Sequence, residues 1–260
     1  MQVMINILQQ NAAGFFTGAV TTMQVALMGT IFGSVIGLLI GVVKTVPVKK
    51  TDILVKRIFF QAVNALLMIY VEVFRGTPMI IQAVIIFYGF AEWFNVRMDL
   101  LFAGTFIVSI NTGAYMSEIV RGGINSIDKG QFEAAHAIGM SHGQTMFNII
   151  LPQTIRNILP ATSNEFVLNI KDTAVLNVIG LSELFFKTRG IYGRNFLFYQ
   201  TALIACAIYF VLTFTTTRLL RLVEKKLVGS ESYAMRGDPK ENQEDARDKQ
   251  AKRVKMRRWK

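Results

Sequence analysis

Apolar residues come in long runs along this chain, and the polar positions fall mostly between them. Residues 20–43 contain no charged side chain. Runs of about 18 or more apolar residues predict transmembrane helices. Five spans follow from the pattern, roughly 15–43, 58–90, 100–120, 154–186 and 196–220. At 1.5 Å rise per residue about 20 residues cross a bilayer, so the second and fourth are too long to be one straight crossing. The second is broken around Gly76-Thr77-Pro78 and the fourth near Lys171-Asp172. The expected fold is an all-α membrane protein with a membrane-spanning body over 1–228. The polar, basic remainder, 229–260, is expected to have little fixed structure.

Composition agrees with that pattern. Of the 260 residues 52% are hydrophobic and only 17% charged, against about 25% charged in soluble domains. The net charge of +11 owes much to Lys252, Arg253, Lys255, Arg257, Arg258 and Lys260. A basic run after the last span fits anionic lipid headgroups and a cytoplasmic location better than nucleic acid. The single cysteine excludes an intrachain disulfide and a cysteine metal cluster. No metal site is expected, since His136 and His142 are not spaced as a helical ligand pair. The N-terminus shows no basic region followed by a cleavage site, so the first run is expected to stay as an anchor.

Basic residues set the expected orientation. The segment before Phe15 has none. The loop after span one carries Lys44, Lys49, Lys50, Lys56 and Arg57, and the loop after span three Arg121 and Lys129, with Arg156 beyond. The N-terminus is therefore expected outside and the C-terminus in the cytoplasm. Lys187, Arg189 and Arg194 contradict the rule, since they would lie outside. Within span one, Gly29, Gly33, Gly37 and Gly41 recur every four residues and form one small-residue face, fit for close helix packing.

The loop over 121–152 is too long for a tight turn. Asp128 with Gln131, and Ser141 with Gln144, read as helix N-caps with reciprocal partners. Gly139 reads as the stop of the first short helix. Met146, Phe147, Ile150 and Leu151 form an apolar stripe, and Pro152 suits the entry to the next span. The alanine-rich first helix has two readings, a helix resting on its own spans or a knob that docks a cytoplasmic partner.

Here the residues resemble a known family. Glu133-Ala134-Ala135, Gly139, Ile149, Leu151 and Pro152 match the signature E-A-A-x3-G-x9-I-x-L-P of ABC-importer permeases at every fixed position. Stretches 70–78, 114–124, 164–166 and 171–173 resemble the polar amino-acid uptake branch, in the right order. The resemblance implies a dimeric permease subunit of an ATP-driven importer in the bacterial inner membrane, multi-pass. Its 121–152 segment would be a coupling helix on the cytoplasmic side, between spans three and four. The implied partners are a cytoplasmic ABC ATPase, a second permease subunit, an extracytoplasmic solute-binding protein and the lipid bilayer. ATP and magnesium would belong to the ATPase. This chain carries no phosphate-loop motif, so it is expected neither to be an enzyme nor to bind a cofactor. The alternative is a stand-alone ion-coupled secondary transporter.

Polar residues inside a span are costly and tend to be functional. Asn164, Glu165, Asn169, Lys171 and Asp172 in span four are candidates for the substrate pathway. Glu165 or Asp172 could meet an ammonium, and Lys171 or a freed backbone N–H a carboxylate. In the competing reading Lys171 and Asp172 neutralise each other. Arg75, Gly76, Thr77 and Pro78 form either a gating hinge or a fixed kink at the membrane boundary.

Overall fold

The computed structural model describes residues 2–46 and 53–228. The expected loose tail, 229–260, and Lys49 and Lys50 of the first loop lie outside the described residues. The chain divides into two units, Met1–Thr217 and Arg218–Lys260. The architecture below is that of the first. Of the second, the described part is the end of the last helix, which carries Lys225 and Lys226 in its final turn.

The helices run in order α1 (Gln2–Lys44), α2 (Leu54–Gly76), α3 (Met79–Phe94), α4 (Leu100–Asn125), α5 (Lys129–Ala137), α6 (His142–Thr145), α7 (Leu151–Asp172), α8 (Leu184–Asn195) and α9 (Phe198–Val228). A π-turn, Met146–Ile150, joins α6 to α7, and a 3-10 segment, Thr173–Ile179, follows α7. Among the described residues, α1, α2, α4 and α9 are long and apolar enough to cross a membrane, and α3 is a shorter apolar helix. The second expected span is thus two helices. Pro78 has no N–H to continue the ladder, so α2 ends at Gly76 and α3 restarts behind the proline. The fourth expected span likewise resolves into α7, the 3-10 segment and α8. Its helix ends at Asp172, where the polar pair interrupts the apolar pattern.

The core of the bundle is α1 against α4. The glycine face of α1 packs on Val108, Thr112, Met116 and Val120, which also recur every four residues. A Cβ on Gly33 would stand 2.6 Å from Thr112 Cβ, and one on Gly41 would stand 2.7 Å from Val120 Cβ. Matching rows of four-residue spacing interlock, and glycine lets the backbones approach.

Three buried polar knots tie helices to this pair. Asn169 of α7 donates from Nδ2 to Thr30 of α1 (2.8 Å) and Thr112 of α4 (3.0 Å). Gln82 of α3 donates to the carbonyls of Phe74 and Thr77 and to the Thr77 hydroxyl. It accepts from Asn111 of α4 at 2.9 Å. The break at Thr77-Pro78 is therefore held by four residues from three helices.

Glu183, with no exposed surface, caps α8. Its carboxylate accepts from the N–H groups of Phe185 (2.7 Å) and Phe186 (2.6 Å) and from the Tyr209 hydroxyl of α9 (3.0 Å). The hydroxyl of Thr22, from α1, accepts from Leu184 N–H. Glu183→Ala strands three part-buried donors, so it is expected to cost about 3 kcal/mol. Thermal unfolding of the detergent-purified protein reads this loss, and Glu183→Gln, which keeps acceptor capacity, should recover part of it.

Candidate functional site

The segment between α4 and α7 is built from its local sequence. Asp128 caps α5 by accepting from Gly130 N–H at 2.7 Å. The reciprocal partner expected at Gln131 is not used, since its side chain turns to Gln153. After α5 the chain closes in a Schellman turn. Met140 N–H bonds to the Ala135 carbonyl, Gly139 N–H bonds to the His136 carbonyl, and Gly139 takes φ +83°. Ser141 and Gln144 then form the expected capping box in full. The π-turn ends where Leu151 N–H reaches back to the Met146 carbonyl. Pro152 supplies no donor and crowds the carbonyl four residues before it. Widening the turn there relieves that crowding.

The signature residues divide by exposure. Ala135 is buried, and Leu151 and the partly buried Ile149 face the chain's own core, in one cluster with Val120, Ile124 and Ile150. Glu133, Ala134, Gly139 and Pro152 are exposed. Two apolar residues join them at the surface, Ile138 (78% exposed) and Phe147 (69%). Phe147 was expected in the buried stripe. Met146 and Ile150, four apart, share the inward face, and Phe147 stands about 100° round the helix from Met146 and points out. Sequence reasoning missed Ile138 and Phe147 as surface residues; the only signal was an isolated isoleucine next to the glycine stop. Burial and neighbouring His136 hold the His142 imidazole below its usual range.

An ion-pair cluster stands at this end of the bundle. Glu118 of α4 accepts from Lys44 Nζ of α1 at 2.7 Å and from both Nε and an Nη of Arg121. It locks the end of α1 to α4 next to the segment that α4 feeds.

The polar residues of α7 separate into two groups. Asn169 is buried in the three-helix knot, with its amide nitrogen engaged. Asn164, Lys171 and Asp172 are exposed, and Glu165 is half-buried. The charges that act on Glu165 are Asp172 of its own helix and Arg75 of α2. Asp172 is in turn under the influence of Lys171. The Arg75 guanidinium lies over the Tyr115 ring of α4, 5.4 Å from its centroid. The fold thus brings the end of α2, mid-α4 and α7 to one charged locus. Gly76, Thr77 and Pro78 follow Arg75 in the chain, and the Thr77 hydroxyl is engaged with Gln82 and the Val73 carbonyl. Among the described residues no group of three or more His, Cys, Asp or Glu is arranged to hold a metal.

Comparison with known proteins gives a consistent set. Residues 53–229 match the family described as "Binding-protein-dependent transport system inner membrane component". The arginine transport system permease protein ArtQ of Bacillus subtilis is 34% identical, over 81% of this chain and 90% of the relative. The glutamine transport system permease protein GlnP of Escherichia coli is 33% identical, over 81% and 91%. A crystal structure of an amino acid ABC transporter with histidines superposes with TM-score 0.71 at 33% identity, covering 84% of this chain and 96% of that one.

Proposed function

Because the chain belongs to the family of binding-protein-dependent transport system inner membrane components, we propose that it is the permease subunit of an ATP-driven importer of polar amino acids. It would lie in the bacterial inner membrane with its N-terminus outside. The observation that carries this reading is the 121–152 segment. The whole E-A-A to L-P signature is present, its apolar half is anchored in the bundle, and its other half is exposed. Glu133, Ala134, Ile138 and Phe147 make a small surface of helix end and apolar contact, which suits insertion into a groove on a cytoplasmic ABC ATPase. ATP and magnesium would act in that subunit. A second permease subunit and an extracytoplasmic solute-binding protein complete the assembly. Two-state motion of the spans, driven from the coupling segment, would open the charged locus to either side.

The locus fits an amino acid. Glu165 and Asp172 attract an ammonium group, while Arg75, aligned by Tyr115, suits a carboxylate. Lys171 tempers Asp172. Asn169 serves as a strut that holds α7 against α1 and α4 behind the locus.

Purification from the native membrane should recover an ATPase at about one copy per permease. Its absence would favour a secondary transporter working alone. In vesicles containing the full complex and its binding protein, Glu165→Gln and Asp172→Asn should each lower uptake on the order of tenfold while the complex stays assembled, as loss of one charge-assisted contact predicts. Unchanged uptake and selectivity in both would leave these carboxylates a structural role only.

A further inference from the structure

At the end of the bundle opposite the coupling segment, the first turns of α1 and the helix α8 enclose a polar cleft. Two adjoining cavities, of about 340 and 460 Å³, share Gln10, Asn11, Ile191 and Arg194, and Lys187 lines the first. No acidic side chain lines either cavity. Arg194 donates from Nε to the Gly190 carbonyl and from an Nη to the Asn11 side chain. A guanidinium has five N–H donors, so donors remain for a ligand. The Lys187 stem packs on Gly18 of α1, which leaves its ammonium as the reaching end. Asn11, which lines both cavities, is where α1 departs from helical geometry (φ −121°, ψ 15°). There the Asn11 side chain donates to the Ile7 carbonyl.

Among the described residues neither cation has an acidic partner, and two such cations call for an anion. The surroundings say what carries it. Val3, Leu8 and Phe16 of α1 and Phe186, Phe196 and Phe198 near α8 all expose apolar surface. Exposed apolar patches mark a partner or a membrane; beside a cationic cleft at the end of a membrane-spanning bundle, acyl chains cover this flank and its aromatic residues suit the headgroup level. The geometry points to a binding site for the phosphodiester of an anionic phospholipid, held by Lys187 and Arg194 with its acyl chains on the aromatic flank. This accounts for the one group of basic residues that opposes the positive-inside rule: their charge is retained on the outer side because lipid neutralises it. The leaflet, but not the binding, rests on the orientation proposed above.

The test is native mass spectrometry of the detergent-purified full complex, titrated with dioleoylphosphatidylglycerol or dioleoylphosphatidylcholine. Wild type is expected to retain the glycerol lipid selectively. Each cation near a lipid phosphate is worth about 1 kcal/mol, so Lys187→Gln with Arg194→Gln should weaken that retention on the order of tenfold. The swap Lys187→Arg with Arg194→Lys should keep it. Arg257→Gln with Arg258→Gln removes the same charge from the tail and should weaken it far less. Equal losses from the two neutralised pairs would overturn the site in favour of general charge. Unchanged lipid retention together with lost stimulation by the solute-binding protein would also overturn it and assign the cations to a protein contact.

Discussion

Gly37→Leu is expected to remove folded protein from the membrane almost completely. A Cβ at this position would stand 2.7 Å from the Met116 carbonyl carbon and 2.8 Å from the Ser117 nitrogen. These are backbone atoms, so no rotamer change in a neighbour can make room. The two helices must separate, and each later rung of the ladder loses contact with the first. Overpacking usually costs about 1–3 kcal/mol. Here the clash is with backbone and propagates along the main helix pair, so the cost should exceed that range. It would also pull Thr30 and Thr112 away from Asn169, which bridges both helices. Gly89→Leu is the control, since nothing stands within 4 Å of a Cβ there. Fluorescence-detected size-exclusion chromatography of both variants reads the result. Near-normal folded yield of Gly37→Leu would mean that the α1–α4 contact does not organise the fold.

That ladder was legible in the sequence because both of its causes are local. Glycine at every fourth position is a repeat, and a charge-free run tells where the helix lies. The same holds for Ser141-Gln144, Gly139 and Pro78, whose backbone consequences are decided within a few residues. What was not legible depends on distant partners. Glu183 reads as one acid among apolar residues, and only the meeting of α1, α8 and α9 makes it a buried cap. Asn169 reads as a pathway residue by its place in a span, yet Thr30 and Thr112, far away in sequence, turn it into a strut. Arg75 reads as part of a hinge or kink beside Pro78. The packing of α2 on α4 puts it over Tyr115 and within the field of Glu165. The exposure of Phe147 depends on which face of its short helix meets the bundle, and that is set by distant partners.

The same split between local and distant causes decides what a change in the coupling segment should do. Gly139 sits at φ +83° with nothing within 4 Å of a Cβ. A side chain there meets no obstacle, and the whole penalty is conformational. Valine is β-branched and resists a left-handed backbone, at about 1–2 kcal/mol, so Gly139→Val should open the Schellman turn between α5 and α6. The anchor of the segment lies elsewhere, in Ile150, Leu151 and their neighbours, so membrane abundance and thermal stability should stay close to wild type. The exposed half would lose its shape, since Glu133, Ala134, Ile138 and Phe147 are placed relative to one another by that turn. ATP-driven uptake by the reconstituted complex is then expected to fall at least about tenfold, because a surface displaced by an ångström or more forfeits its contacts. Asparagine tolerates the left-handed region, so Gly139→Asn should transport nearly as well as wild type. Glu133→Lys, an exposed charge reversal, should weaken recovery of the ATPase without disturbing the fold. Equal uptake by the valine and asparagine variants, whether both high or both low, would separate coupling from the geometry of this turn. If valine alone fails, the left-handed residue itself carries the mechanical link.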